Sequence, residues 1–343
     1  MKKLYELMNE YGINDKSVMA TVIEGEYFGE KALFSENKLL FDSTDSGFLG
    51  KHKEKILEIT QTGSYWIDNN RVFVEILGND EKLVICGGGH ISIQLIKIAL
   101  MIGFKVTVLE DRPKFADDAR RAGAHHVICK PFELGLEEVK GDKDTFFVIV
   151  TRGHRYDQIC LEKIIYKENA YIGMLGSKVR VRNIKEAMVA KGIDRESIER
   201  IYAPIGLKIG AETPEEIAVC IAAELIQVKN SSKRGSRYTK EMLEAILTDN
   251  GDITAKVLAT IVSKKGSTPR SAGTKMLVFP DGKTIGTIGG GCVEAEIIQK
   301  TLILMDSDST EPELYKVDMT GQNVEDEGMI CGGINEVLLE KIL

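Results

Sequence analysis

The middle of the chain alternates short apolar runs with amphipathic stretches. Strand-like runs cover Lys82–Cys86, Lys105–Glu110, His126–Cys129, Thr145–Thr151 and Ala170–Leu175. Helix-like segments lie between most of these runs, and the last helix starts with the capping box Thr213-Pro214-Glu215-Glu216. This alternation favours a doubly wound parallel sheet, which is predicted to occupy residues 79–228.

Two shorter, β-rich blocks flank this α/β block and resemble each other. The first covers residues 1–78, and the second covers 246–343 after a polar linker at 229–245. Val18–Val22 parallels Val257–Ile261, and small and polar residues then match in the same order along both blocks. The pattern predicts two copies of one small β-rich α+β domain, with chance similarity as the alternative.

The two copies differ at their most distinctive positions. Matching them requires a deletion in the first copy that removes the loop Gly266–Arg270 of the second. Phe48 stands where the second copy has Cys292, and Trp66 stands where it has Cys331. The N-terminal copy is therefore predicted to be degenerate, with the fold kept and the chemistry lost.

Three Gly-rich elements of the C-terminal copy form the first candidate site. They are Gly266-Ser267-Thr268-Pro269-Arg270, Gly289-Gly290-Gly291-Cys292-Val293-Glu294 and Gly328-Met329-Ile330-Cys331-Gly332-Gly333. Residues 291–302 have a helical period, which predicts that Cys292 lies at a helix N-terminus, where free N–H groups favour an anion or a thiolate. A tight turn with two buried cysteines is the structural alternative. The three elements together favour a functional site.

A second Gly-rich turn follows the first strand of the middle block. Gly87-Gly88-Gly89-His90 joins this strand to a helix, and Ser92 takes the place of a third small residue. Such turns hold a pyrophosphate at the helix N-terminus, and the acids Glu110-Asp111 end the next strand, in register for the ribose of NAD(H). His90 either helps to bind phosphate or is a surface histidine. The turn predicts a Rossmann-type domain and, less directly, a bound dinucleotide.

A third group of polar residues, Thr151–Asp157, follows the fourth strand at the carboxyl edge of the predicted sheet. Arg152 is a candidate anion ligand, and His154 with Asp157 is a candidate proton shuttle. A helix start capped by Asp157 is an equal alternative. Four further cysteines lie in strand or helix runs and are predicted to be core residues: Cys86, Cys129, Cys160 and Cys220.

Composition excludes several classes of function. The 343 residues carry a net charge of −7 without a long basic block, which argues against nucleic acid as the main partner. No apolar run reaches the length of a membrane span and no signal peptide is visible, so a cytoplasmic protein without a membrane partner is expected. Six cysteines without a C-x-x-C pair argue against a disulfide framework or a structural zinc site.

Together these motifs resemble the XdhC/CoxI family, the accessory proteins of xanthine dehydrogenase and related molybdenum hydroxylases. The three Gly-rich elements of the C-terminal copy carry one part of the resemblance. The middle block carries the rest, in Cys86–His90, Glu110–Pro113, Gly173–Ser177, Pro204–Leu207 and Thr213–Ala218. The family pattern places its Gly/Cys domain before the Rossmann domain, whereas here the leading copy is degenerate and an intact copy follows.

The resemblance implies a maturation protein, more a cofactor-binding chaperone than a turnover enzyme. Such a protein would bind the molybdenum cofactor (molybdopterin), support its sulfuration by a cysteine desulfurase and insert it into an apo molybdenum hydroxylase. The phosphate of the cofactor would lie on the Gly-rich elements, on Ser267, Thr268, Arg270, Gly289, Gly290, Gly291 and Glu294. Cys292 or Cys331 would relay sulfur, and Cys292 is a candidate molybdenum ligand. A homodimer, or an intramolecular pseudo-dimer of the two copies, is also expected.

Two other functions are kept as alternatives. The first is an NAD(H)-dependent oxidoreductase that uses the middle block, with Gly87, Gly88, Gly89, His90, Glu110, Asp111, Arg152 and His154 as its candidate residues. The second is an interaction scaffold in which both sites are vestigial. The intact Gly/Cys elements of the C-terminal copy argue against the scaffold.

Overall fold

The computed structural model describes residues 2–11, 17–44, 47–78, 81–231, 238–248, 255–266, 270–289, 291–318 and 333–342. The chain divides into two units, one of which is built from both ends of the sequence. Met1–Asn79 and Lys233–Leu343 together form this paired unit, and Asp80–Ser232 forms the Rossmann unit. The two blocks that resemble each other in sequence therefore fold together.

The first copy in the paired unit is an antiparallel sheet with short helices. Its elements are α1 (Lys2–Tyr11), β1 (Ser17–Glu24), β2 (Lys31–Ser35), β3 (Lys38–Asp42), α2 (Phe48–Lys51), α3 (Lys53–Leu57), β4 (Gly63–Ile67) and β5 (Asn70–Ile76), and the strand order is β3-β2-β1-β5-β4. Alternate residues of β1 face opposite sides, so Val18 and Ala20 join the apolar cluster of α2, while Met19 joins that of α1. Because both faces are covered, β1 is buried along nearly all of its length.

The Rossmann unit is a parallel sheet with helices on both faces. Its elements are β6 (Lys82–Cys86), α4 (His90–Met101), β7 (Lys105–Leu109), α5 (Pro113–Arg121), β8 (His126–Ile128), α6 (Phe132–Glu138), β9 (Thr145–Ile149), α7 (His154–Ile164), β10 (Tyr171–Met174), α8 (Lys178–Ala190), α9 (Arg195–Glu199) and α10 (Pro214–Ser231). The strand order β10-β9-β6-β7-β8 is that of the doubly wound dinucleotide-binding fold. The predicted fold class is confirmed.

The central strand β6 is buried on both sides, which explains its continuous apolar sequence. Leu83 and Ile85 face a cluster that includes α4 and α10, whereas Val84 and Cys86 face a cluster that includes α7 and α8. The carboxyl end of β6 leads directly into the glycine turn, so both apolar layers hold that turn in place.

Three of the four cysteines predicted to be core residues are buried. Cys86 and Cys160 lie in the same apolar layer of the Rossmann unit, and Cys220 is buried on α10. Cys129 differs, because it follows the end of the short edge strand β8 and is only half-buried. The prediction of a core position for Cys129 was wrong.

The second copy in the paired unit repeats the architecture of the first. Its elements are α11 (Lys240–Leu247), β11 (Lys256–Gly266), β12 (Lys275–Val278), β13 (Thr284–Gly286), α12 (Gly291–Asp306), β14 (Glu313–Asp318) and β15 (Gly333–Ile342). The strand order, β13-β12-β11-β15-β14, matches that of the first copy strand for strand.

The predicted linker at 229–245 contains regular structure at both of its ends. Helix α10 continues to Ser231, and α11 begins at Lys240 after the N-cap Thr239. Tyr238 and Met242 are buried in the core of the paired unit, beside residues of α1. The amphipathic pattern of 240–247 is thus a helix of the second copy, which the prediction assigned to the linker. Within the described part of the chain, no helix is long and apolar enough to span a bilayer.

Strand register confirms that the two copies are a true structural repeat. In β1, Met19 lies opposite Leu33 and Glu75, and in β11 the matching residue Leu258 lies opposite Leu277 and Glu340. These are the pairs that the sequence match predicted. Each central strand also has a register shift at the same place, after Val22 in the first copy and after Ile261 in the second.

The sequence match was wrong at Trp66. In the first copy Trp66 of β4 lies opposite Arg71, and in the second copy Lys316 of β14 lies opposite Glu336, the counterpart of Arg71. Trp66 therefore corresponds to Lys316 and not to Cys331, which lies outside the described residues. The reason is that a two-residue turn joins β4 to β5, whereas residues 319–332 separate β14 from β15.

Reciprocal ion pairs join the two copies. The Lys31 Nζ lies 2.6 Å from an Oε atom of Glu340, and the Lys275 ammonium pairs with Glu75. Lys31 corresponds to Lys275, and Glu75 corresponds to Glu340, so each copy gives the other the same contact. All four side chains are buried. This reciprocity is the property of an isologous interface, and the copies form an intramolecular pseudo-dimer.

Candidate functional site

Helix α12 provides the N-terminus that the sequence predicted beside Cys292. The helix begins at Gly291, and Cys292 is its second residue. Gly289 and Gly291 both have positive φ values, of 150° and 65°, which favour glycine in the turn that leads into the helix. The Thr287 hydroxyl donates to the Glu294 carboxylate at 2.6 Å and accepts from the Gly289 amide at 3.3 Å. This pair of contacts fixes the turn against the first residues of α12.

Several predicted residues of this site lie outside the described part of the chain. They are Ser267, Thr268, Gly290 and Cys331, and the side chain of Cys292 is likewise not described. Arg270 is described and is exposed, after the end of β11. The described part of the candidate site therefore consists of Arg270, Thr287, Gly289, the backbone at the start of α12, and Glu294.

The first copy shows how the equivalent backbone is used there. The Phe48 and Leu49 amides at the start of α2 donate to the two carboxylate oxygens of Glu30, at 3.0 and 2.7 Å. Glu30 is only 6% exposed. A Cβ atom on Gly47 would lie 2.3 Å from a Glu30 oxygen, so the glycine leaves the space that the carboxylate occupies. The phenyl ring of Phe48 stacks on Tyr27, with ring centroids 5.0 Å apart.

Sequence reasoning missed Glu30. Its alignment with Thr274 in the second copy was a readable signal, because this is a change from an acid to a small neutral residue beside the matching pair Lys31 and Lys275. A buried carboxylate requires partners, and the nearby helix start supplies them.

The glycine turn of the Rossmann unit has the shape expected of a phosphate loop. Gly87 has a φ of 116°, and a Cβ there would lie 2.5 Å from the Val150 carbonyl oxygen. A Cβ on Gly89 would meet no atom within 4 Å, so the turn is open at this point. Helix α4 begins at His90, which is exposed, and its N-cap Gly89 brings no side-chain hydrogen bond.

Glu110 makes contacts that were not predicted. Its carboxylate accepts from the Gly88 amide at 2.7 Å and from the Arg112 guanidinium, with the Nε donor at 2.8 Å. The residue is fully buried. Glu110 therefore closes onto the glycine turn within the unit, whereas the sequence predicted a carboxylate that faces the ribose of a dinucleotide.

Asp111 and Arg152 form a second carboxylate–guanidinium pair at the same sheet edge. The two guanidinium Nη atoms donate to the two Asp111 oxygens at 2.5 and 2.8 Å. The hydrogen bonds from Arg152 lower the pKa of the Asp111 carboxyl to about 2. The guanidinium also lies over the ring of Tyr156, 3.9 Å from its centroid. The anion that Arg152 binds in this structure is Asp111.

The proposed proton shuttle between His154 and Asp157 is not assembled. Asp157 is buried, accepts from the Thr151 hydroxyl at 2.5 Å and pairs with the Arg180 guanidinium. His154 is exposed as the first residue of α7, whose N-cap is Gly153 without a side-chain hydrogen bond. Asp157 thus serves neither as a partner of His154 nor as a helix cap, and its long-range partner Arg180 could not be found from local spacing.

The described residues hold no group of three or more His, Cys, Asp or Glu side chains that is arranged for a metal ion. The two cysteines considered for metal ligation, Cys292 and Cys331, do not enter that comparison, because their side chains are not described. Their role as metal or sulfur ligands stays a prediction.

Comparison with known proteins gives two family matches on this chain. Residues 83–225 match the model of the XdhC Rossmann domain, and residues 254–318 match that of the XdhC and CoxI family. The first match lies on the Rossmann unit. The second covers β11–β14 and includes the start of α12.

Individual relatives agree with these matches. The chain is 32% identical to the uncharacterized protein YqeB of Escherichia coli over 165 residues, which cover 48% of this chain and 30% of the relative. It is 28% identical over 192 residues to a probable xanthine dehydrogenase subunit of Bacillus subtilis, with coverage of 54% and 56%. The chain thus spans about a third to about half of the length of these relatives.

Among solved structures, the chain resembles that of a xanthine dehydrogenase from Bacillus halodurans. The sequences are 28% identical, the TM-score is 0.52, and the match covers 67% of this chain and 63% of the other. Motifs, fold and family matches all agree. The chain belongs to the XdhC/CoxI family.

Proposed function

We propose that this protein matures a xanthine dehydrogenase-type molybdenum hydroxylase. It binds the molybdenum cofactor, supports its sulfuration with a cysteine desulfurase and delivers it to the apo-hydroxylase. The observation that carries the proposal is the start of α12, where a Gly-rich turn leads into a helix with Cys292 in its first turn. Family membership and the names of the relatives support the assignment to hydroxylase maturation.

The chemistry of this helix start suits the cofactor. Molybdopterin brings a phosphate, a dithiolene and a soft metal centre. Backbone amides at a helix N-terminus bind phosphate, and Arg270 and the hydroxyls of Ser267 and Thr268 precede them in the sequence. A thiolate from Cys292 or Cys331 suits the sulfur-rich end of the cofactor. The equivalent backbone of the first copy holds the Glu30 carboxylate, which supports the fit to an anionic oxygen ligand.

An NAD(H)-dependent oxidoreductase is the second candidate function. The open space in front of Gly89 favours it, because a pyrophosphate approaches the backbone at that point of the fold. The buried contacts of Glu110 disfavour it, because this carboxylate binds Gly88 and Arg112 instead of facing a ribose. Titration with NADH, followed by the fluorescence of the reduced nicotinamide, tests this alternative directly.

The proposed function is tested by the pterin that co-elutes with the purified protein. Oxidation makes the bound pterin fluorescent, and wild type is compared with Cys292→Ala and with the half-buried thiol variant Cys129→Ala as a matched control. The proposal predicts pterin on the wild type and on the control, and loss from the Cys292 variant. An absence of pterin from all three proteins, after expression in cells that make the cofactor, would refute it.

A further inference from the structure

One buried glutamate fills the helix start of the first copy. The two oxygens of Glu30 each accept one backbone amide, from Phe48 and Leu49. Gly47 provides the space for this carboxylate. These amides lie at the first residues of the helix that follows the Gly47 turn, where an external anion binds in other proteins. The first copy is thus closed by its own carboxylate.

The second copy has no carboxylate at the corresponding position. The Val22 amide donates to the Glu30 carbonyl at 2.9 Å, and the Ile261 amide donates to the Thr274 carbonyl at the same distance. Because Val22 and Ile261 are equivalent in the two central strands, Glu30 and Thr274 are equivalent too. The Thr274 hydroxyl donates to the Ser271 carbonyl at 2.8 Å, within its own turn.

The helix starts correspond in the same way. Gly47 follows Lys31 at the same spacing as Gly291 follows Lys275, and the sequence between them contains no gap. The amides of Phe48 and Leu49 therefore correspond to those of Cys292 and Val293. Where the first copy has an acid that reaches these amides, the second has a side chain too short to do so.

We infer that Thr274 determines which copy binds ligand, because it leaves open in the second copy the oxyanion site that Glu30 closes in the first. The ligand class is a phosphate monoester, two of whose oxygens replace the two carboxylate oxygens of Glu30. This inference rests on the proposed function only in identifying that ester with the phosphate of the molybdenum cofactor.

The ligand is assigned as a phosphate for two reasons. The Glu30 carboxylate presents two oxygens to two amides, and a phosphate monoester presents the same pair with a further oxygen and more negative charge. The exchange of a glutamate for a threonine also removes side-chain volume beside these amides, which makes room for a tetrahedral group larger than a carboxylate.

The test is the substitution Thr274→Glu, which gives the second copy the carboxylate of the first. Thermal unfolding is followed as inorganic phosphate replaces chloride at constant ionic strength. Wild type and the control Thr274→Ser are expected to be stabilised by phosphate. Thr274→Glu is expected to lose on the order of tenfold or more in apparent phosphate affinity, because its own carboxylate competes for charge-assisted hydrogen bonds.

A second readout separates this effect from misfolding. Without phosphate, Thr274→Glu is expected to unfold at a temperature equal to or above that of the wild type, since the new carboxylate caps α12. If the variant does not fold, amide resonances of the wild type decide the matter. A phosphate-dependent shift of the Cys292 and Val293 amides supports the inference, and unmoved resonances overturn it.

The two proposals fail in different ways. Wild type that responds to phosphate through Thr274 but carries no pterin overturns the proposed function and leaves the oxyanion site in place. Thr274→Glu that responds to phosphate and carries pterin as the wild type does overturns the oxyanion site and leaves the proposed function in place.

Discussion

Two buried glutamates bind backbone amides at glycine turns in this molecule. Glu30 accepts from the amides at the start of α2, and Glu110 accepts from the Gly88 amide and from Arg112. In each case a carboxylate of the chain lies where the sequence pattern indicates an anion-binding turn. A glycine turn followed by a helix therefore predicts a backbone that binds anions, and the neighbouring side chains decide whether the anion comes from the protein or from a ligand.

The contribution of Glu30 to stability is open to measurement. Glu30→Ala leaves two buried amides without their acceptor and is expected to lower the free energy of unfolding by about 1–3 kcal/mol. Urea denaturation measures the change. Glu26→Ala, at an exposed position of the same turn region, is the matched control and is expected to stay within about 0.5 kcal/mol of the wild type. Equal losses in the two variants would contradict a capping role for Glu30.

The pair of Asp111 and Arg152 predicts a dependence of stability on pH. Because the pKa of Asp111 is about 2 in the folded protein and about 3.9 when unfolded, its charged form is favoured by folding. The stabilisation is fully present above the unfolded value and is lost as the pH falls through the folded value. Arg152→Gln is expected to raise the pKa of Asp111 towards its ordinary value, measured by carboxyl NMR titration. An unchanged pKa would show that Arg152 does not stabilise the carboxylate.

At the level of helices and strands, the two copies are held together by equivalent parts. β2 of the first copy contacts β15 of the second through Lys31 and Glu340, and β12 contacts β5 through Lys275 and Glu75. A second contact joins equivalent positions directly, since Arg71 of β5 forms a two-bonded pair with Glu336 of β15. These charges lie inside the paired unit, so they define the register of the two sheets against each other.

The buried pair of Lys31 and Glu340 is therefore expected to behave unlike a surface pair. Lys31→Met leaves Glu340 buried without its partner and is expected to cost about 3–5 kcal/mol, whereas Lys31→Met with Glu340→Leu is expected to recover most of that loss. Lys55→Met, which breaks an exposed pair with Asp68, is the control and is expected to change stability by at most about 1 kcal/mol. A double variant no more stable than Lys31→Met would contradict this account.

Much of the fold could be predicted at this scale, and the misses have physical causes. Strands β6 and β9 were predicted because parallel strands buried on both faces have continuous apolar sequences. Helix α11 was missed because its short amphipathic stretch follows a polar segment. The counterpart of Trp66 was misplaced because the alignment did not place residues 319–332 between two paired strands. Contacts such as that of Asp157 with Arg180 join distant parts of the sequence and leave no local signal.

For the molecule as a whole, the two ends of the chain form one body around the reciprocal ion pairs. Each copy alone would expose the lysine and the glutamate that it buries against the other. Because these positions are equivalent, a second copy of the same block offers the same contacts, with Lys275 of one chain opposite Glu340 of the next. The interface is self-complementary in the sense of a two-fold dimer.

This symmetry predicts the behaviour of a fragment. Residues 233–343, expressed alone, are expected to form a homodimer, and addition of residues 1–79 is expected to convert it into the heterodimer of the intact protein. Light scattering after gel filtration measures both masses. A Lys275→Glu fragment, in which two glutamates oppose each other, is expected to remain a monomer or fail to fold. A monomeric, folded wild-type fragment would contradict the proposed equivalence of the interfaces.

The central claim is that one copy is closed and the other open, so that each chain holds a single molybdenum cofactor. The most direct measurement is the amount of pterin and molybdenum per chain, by fluorescence of the oxidised pterin and by elemental mass spectrometry. The account predicts one cofactor on the wild-type chain and none on Thr274→Glu. Two cofactors per chain, or a full complement on Thr274→Glu, would contradict it.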